Sequence, residues 1–120
     1  MASNVKSYKD LIVWKKAIEM VLEIYKIVSI FPSEEKYALT SQIRRSAVSV
    51  PSNIAEGHSR QHSSEFRQFL YIALGSLAEL DTQLIIAEKL QYIREEELVL
   101  ITERIVELRK MLFTIGKKLC

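Results

Sequence analysis

His58 and His62 stand four positions apart, with Glu65 three further on. On a helix, that spacing can present two imidazoles and a carboxylate to one metal ion. The surroundings oppose this reading. Gly57 and the polar run HSRQHSS mark a loop, and the paired Glu-x-x-His pattern of carboxylate-bridged bundles is absent. Ser59, Ser63 and Ser64 beside the histidines suggest a nucleophile and its base. No glycine-rich elbow or oxyanion-donor motif accompanies them. Neither common glycine loop for phosphate occurs. The single cysteine is the last residue, so one chain can form neither an internal disulfide nor a cysteine zinc site. The expectation is a non-enzymatic chain with no catalytic residues, no metal and no cofactor.

The elements that would position any site are helices. Only 3 Gly and 2 Pro occur in 120 residues, which excludes a turn-rich β-sandwich or a disordered linker. Asp10 to Phe31 forms a first segment that stops at Pro32, since proline disfavours helix in the residue before it. Ser33 then caps a second segment, about 34–56, with Gly57 as its terminator. Pro51 should bend or restart that helix. A third runs from about 64 to 90, capped by Ser63 or Ser64, and a fourth from 95 to about 116. Residues 1–9 are read as a flexible N-terminus. Short loops between four helices in one 120-residue domain predict an all-α fold: an antiparallel up-down-up-down four-helix bundle.

Core stripes can be counted. Leu39, Ile43, Ala47, Val50 and Ile54 line the second helix. Phe66, Phe69, Leu70, Ala73, Leu77, Leu80, Leu84 and Ala87 line the third. Helices one and four carry apolar residues nearly all round, apart from narrow strips at Lys16, Glu19, Glu23 and Lys26 and at Glu103, Glu107, Lys110, Thr114 and Lys117. A bundle buries an apolar stripe of only about 100° per helix. The surplus on helices one and four predicts a homo-oligomer joined through them, with Ile27 and Leu108 as trial interface positions.

Net charge is +2, which names no partner by itself. Folded as an up-down-up-down bundle, residues 1–20, 46–72 and 107–120 share one end and carry +5, against −3 elsewhere. Lys6, Lys9, Lys15, Lys16, Arg60, Arg67, Lys110, Lys117 and Lys118 make that end a candidate surface for the RNA or DNA backbone. Lysines dominate, so phosphate contact without base readout is expected.

A polar seam is expected between helices two and three. It comprises Gln42, Arg44, Arg45, Ser49, Asn53 and Glu56 on one side and Ser76, Glu79 and Gln83 on the other. With the turn near residues 60 and 61, opposed positions sum to about 121. That places Glu79 within a turn of Arg44 and Arg45 and predicts a structural salt bridge. Gly75 and Ser76 would let the two helices approach closely.

The runs QIRRSAVSVPSNIAEG (42–57) and EFRQFLYIALGSLAELDTQL (65–84) resemble the bacterial four-helix-bundle family, also called 23S rRNA intervening-sequence proteins. The opening YKDLIVWKKAIEMVLEIY (8–25) is similar to that family's start, and the likeness covers about residues 8–118. Its signature is S-x-x-x-N-I-A-E-G from Ser49 to Gly57 with G-S-x-x-E-L from Gly75 to Leu80. The resemblance implies a left-handed antiparallel bundle, a homopentameric ring and no established enzymatic activity. Some members are encoded within ribosomal RNA gene insertions. A similar protein, the accessory factor of diversity-generating retroelements, is a basic pentamer that binds nucleic acid and a reverse transcriptase.

The function expected is therefore an oligomeric nucleic-acid-binding or ribonucleoprotein accessory protein. The alternative is a protein-interaction scaffold that binds a protein client and no nucleic acid. No membrane partner is expected: the longest run without Asp, Glu, Lys or Arg is 11 residues, Gln68 to Ala78, against roughly 17–25 apolar residues for a span. No secretory signal is visible at the N-terminus, and a cytoplasmic location is expected.

Overall fold

A computed structural model describes residues 5–119. Among them are four α-helices and no strand: α1 (Ile12–Val28), α2 (Leu39–His58), α3 (Ser63–Lys89) and α4 (Glu95–Lys118). Short 3-10 turns precede α1, at Tyr8–Asp10, and α2, at Ser33–Glu35. A four-helix bundle fits this arrangement. Each helix packs on its two neighbours in the order α1, α2, α3, α4 and back to α1, while the diagonal pairs α1–α3 and α2–α4 do not pack together.

The expected core stripes are buried from Ile43 and from Leu70 onward, while Leu39, Phe66 and Phe69 at their ends are only partly buried. Ile43, Ala47, Val50 and Ile54 meet Leu70, Ala73, Leu77, Leu80, Leu84 and Ala87. Val13, Ala17, Met20, Ile24 and Val28 of α1 close the core with Ile101, Ile105, Leu108 and Leu112 of α4. Leu108 is therefore core, not interface as trialled from the sequence, and a charge there would be buried unpaired. Steps of three and four put each set on one helical face.

Several boundaries differ from the sequence expectation, each for a local reason. The flexible N-terminus was read as 1–9; residues 1–4 lie outside the described region, and Ser7–Asp10 is a capped turn. Asp10 Oδ2 accepts the Lys6 amide at 2.9 Å and the Ser7 amide at 3.2 Å, while Ser7 Oγ accepts the Lys9 amide at 3.1 Å. These backbone donors, Lys6 first, hold the Asp10 carboxyl below its usual pKa. Tyr8 packs edge-on against Trp14, with ring centroids 5.5 Å apart.

α1 ends at Val28, ahead of Pro32, where Ser29 Oγ donates to the Lys26 carbonyl at 2.6 Å. Ser33 opens only a 3-10 turn. α2 starts at Leu39, where the Glu35 carboxylate accepts the Leu39 amide at 3.3 Å. The other oxygen of Glu35 accepts from the Tyr92 hydroxyl at 2.8 Å, which raises the Tyr92 pKa above its usual value. Tyr92 also packs on Phe31 at 5.4 Å, so one carboxylate and two rings tie the α1–α2 and α3–α4 connections together.

Pro51 does not restart α2, which is one helix from Leu39 to His58. The N-cap of α3 is His62 rather than Ser63 or Ser64, and its side chain makes no capping bond. α3 ends in a Schellman turn. Gln91 takes φ 66°, the Tyr92 amide donates to Ala87 O and the Gln91 amide to Glu88 O, both at 2.9 Å.

Gly57 terminates nothing. It sits inside α2, buried, with helical φ, and a Cβ there would stand 2.6 Å from Phe69 Cβ and 3.0 Å from Phe66 Cδ1. Glycine is required because α3 passes too close for any side chain. Phe69 Cβ moves only with its backbone, so no rotamer relieves the clash. Gly57→Ala should gain about 1 kcal/mol of helix propensity yet lose more to overpacking, which costs about 1–3 kcal/mol. Thermal or urea unfolding should show net destabilisation.

Candidate nucleic-acid interface and polar groove

The start of α1 lies beside the end of α4. Lys16 pairs with Glu107 at 3.3 Å, and Arg104 bridges Glu19 at 3.4 Å and Glu23 at 3.1 Å. These pairs join the two polar strips seen in the sequence. The end of α2 lies beside the start of α3, where His58 packs edge-on to Phe66 at 5.5 Å. Arg44, near the start of α2, already stands over Tyr25 well along α1. The Tyr8–Asp10 turn, which packs on α2, therefore meets it towards its far end.

The basic residues thus gather, but unequally. Lys6, Lys9, Lys15, Lys110 and Lys118 are exposed and make no ion pair among the described residues. Lys16 is held by Glu107. Arg60 is clamped by Glu56 at 2.9 Å and Glu65 at 3.6 Å and lies over the Phe69 ring. Arg67 lies over Tyr71 and donates to its hydroxyl at 3.3 Å, and Lys117 sits 5.6 Å from the Phe113 ring centre. Surface pairs of this kind are worth little energy, but they orient side chains and cancel charge. His58 and His62 sit at this end, and among the described residues no group of three or more His, Cys, Asp or Glu could hold a metal.

The seam between α2 and α3 is only partly as expected. Ser49 Oγ and Ser76 Oγ are 2.8 Å apart. Asn53 Nδ2 donates to Ser49 O at 2.8 Å and to Ser49 Oγ at 2.9 Å. Glu56 belongs to the Arg60 clamp instead. The Glu79 salt bridge is absent: Glu79 and Arg45 are exposed, and neither Arg44 nor Arg45 makes an ion pair among the described residues. Ser49 opposes Ser76 rather than Ile72, so the pairing runs one helical turn further along than the loop position implies. Side chains lean toward the N-terminus of their own helix, which displaces each partner by about one position and supplies roughly half of that offset.

In this register Gln42, Arg45, Ser46, Ser49, Glu79 and Gln83 line an open groove of about 560 Å³. Ser46, which the sequence does not single out, is 6% exposed and lines this groove. Its position three residues before Ser49 was the available signal. Gly75 does not mediate the α2–α3 approach either, since nothing lies within 4 Å of its would-be Cβ.

Four helices around one core, a basic end and a polar inter-helix groove define a helical-bundle protein. The chain belongs to the 23S rRNA-intervening sequence protein family, whose profile matches residues 9–114. It is similar to a crystal structure from Bacteroides thetaiotaomicron, a protein of unknown function from the S23 ribosomal protein family. The two share 28% identity at a TM-score of 0.79, over 88% of this chain and 99% of that one. No curated protein matches the chain.

Ser49→Ala should cost about 1–2 kcal/mol, because it strands the buried Ser76 hydroxyl and one Asn53 donor. Chemical denaturation checks this.

Proposed function

We propose that the chain is a non-enzymatic, homo-oligomeric bundle that binds nucleic acid, RNA foremost, through phosphates at its basic end. In this reading it acts in the cytoplasm as an accessory protein of ribonucleoprotein. The carrying observation is the cluster of exposed lysines, Lys6, Lys9, Lys15, Lys110 and Lys118, without ion pairs at one end. The family name, with its reference to ribosomal RNA, supports the choice of RNA.

The helix order is read as antiparallel, up-down-up-down. Pairings such as Lys16–Glu107 with Glu23–Arg104, and Ser49–Ser76 with His58–Phe66, support it because one number rises as the other falls. The assembly is read as a pentameric ring, on the family resemblance. A ring repeats the basic end several times and makes its field large enough to hold a polyanion.

A scaffold that binds a protein client and no nucleic acid is the second reading. It is favoured by the ion pairs that occupy Lys16 and Arg60.

Binding of RNA and DNA fragments by the parent at low and moderate salt separates the two. Each phosphate contact on duplex should add about −0.9 to the slope of log affinity against log salt. Affinity should vary little with sequence. A Lys9→Glu/Lys110→Glu/Lys118→Glu variant should bind at least tenfold more weakly. Equal binding by parent and variant, or none by either at low salt, rejects the basic end as the site and leaves the scaffold.

A further inference from the structure

α3 carries more apolar surface than the core uses. By length and composition it is apolar enough to cross a membrane, yet only 33% of its most apolar stretch is buried in the bundle. Tyr71, Ile72, Ile85 and Ile86 are between 40% and 46% exposed. Gly75, Ala78 and Thr82 lie between them at steps of three and four, on one outward face. Nothing in the chain stands over Gly75, so its small size leaves room for a neighbour from outside. Glu79, exposed and without an ion pair among the described residues, is the acid on this face.

The neighbouring side of the bundle, across Arg45 and Ser49 of α2, carries the complement. Tyr25, Arg44, Arg45, Val48 and Ser49 line a shallow, largely apolar groove between α1 and α2. Leu22, one turn before Tyr25, is 60% exposed. The Arg44 guanidinium lies 5.2 Å from the Tyr25 ring centre, and its Nε has no hydrogen-bond partner. Within one chain Arg45 and Glu79 line the same α2–α3 groove without an ion pair. The Oε1 of Gln83, like the Nε of Arg44, is buried with no hydrogen bond. Buried polar groups are normally satisfied, so these two atoms mark a surface that something else completes.

We infer that the outer face of α3 docks on the α1–α2 groove of a second copy, with Glu79 of one copy facing Arg44 and Arg45 of the next. A second copy is the occupant because one chain presents both halves: an unpaired carboxylate amid one apolar face, and two guanidiniums without ion pairs on the other. The α3 face and the α1–α2 groove are different patches of one chain, so the contact is head-to-tail and repeats from copy to copy until a ring closes. This rests on the oligomeric reading above and places the interface on α3 and the α1–α2 groove, rather than on α1 with α4.

Glu79→Arg and Arg45→Glu test it, since both positions are exposed and should leave the fold intact by circular dichroism. Light scattering at micromolar concentration should give several times 13.9 kDa for the parent. Each variant alone should fall towards monomer, and the double variant Glu79→Arg/Arg45→Glu should reassemble, because the reversed charges then meet at every contact whatever the number of copies. Gly75→Leu should stay folded and fall towards monomer. A monomeric parent overturns the oligomeric reading and this interface with it. An oligomeric parent whose variants all assemble normally overturns the interface alone. Monomeric single variants whose charge-swapped double variant also stays monomeric overturn the Glu79–Arg45 contact between copies.

Discussion

The close approach of α2 and α3 at Gly57 constrains the rest of the molecule. Phe66 and Phe69 fill the space a side chain at residue 57 would need. That contact fixes how α3 sits against α2, and the register then propagates along both helices. Ser49 meets Ser76, Asn53 locks onto Ser49, and the core stripes interdigitate below them. The same register keeps Glu79 and the arginines from pairing within the chain. A small shift would have closed a salt bridge between solvent-exposed groups, whose net contribution is often near zero. The register observed instead leaves charge and hydrogen-bonding capacity at the surface.

The two ends of the bundle are built differently. At one, Phe31, Tyr92 and Glu35 bind two connections together, among the acids Glu34 of the turn before α2, Glu88 at the end of α3 and Glu95, Glu96 and Glu97 at the start of α4. At the other, Asp10 holds a short turn that presents Lys6 and Lys9 and packs on α1 and α2. Lys117 and Lys118 there also match the negative end of the α4 dipole, as Glu95, Glu96 and Glu97 match its positive end. Charge that stabilises the helix thereby also polarises the whole molecule, and a symmetric assembly would add these fields.

The core was legible because helical periodicity is a strong signal: the Ile43-to-Ile54 and Leu70-to-Ala87 stripes are buried as read. Features set by tertiary distance were not. Gly57 looks like a helix terminator in sequence, and only the proximity of Phe69 reveals it as a packing residue. Gln91 adopts a left-handed conformation with no Gly or Asn to announce it. The start of α2 slipped from 34 to Leu39 because Glu35 spends one oxygen on Tyr92, 57 positions away. Of the candidate site, the basic cluster was readable from topology, whereas the engagement of Lys16 and Arg60 by acids was not. The second apolar face of α3 was missed because its residues lie between core positions and look like part of one broad stripe.

The central claim is that the α2–α3 register turns an incomplete surface outward and a second copy completes it. Hydroxyl-radical footprinting of the intact protein, at micromolar concentration and after dilution, reads that surface directly. Leu22, Tyr25, Tyr71, Ile72 and Ile86 should be protected when concentrated and become reactive on dilution. Leu100, which is 64% exposed in the α1–α4 groove, should react equally in both. Protection of Leu100 and Val99 with Tyr71 and Ile72 reactive throughout would contradict it.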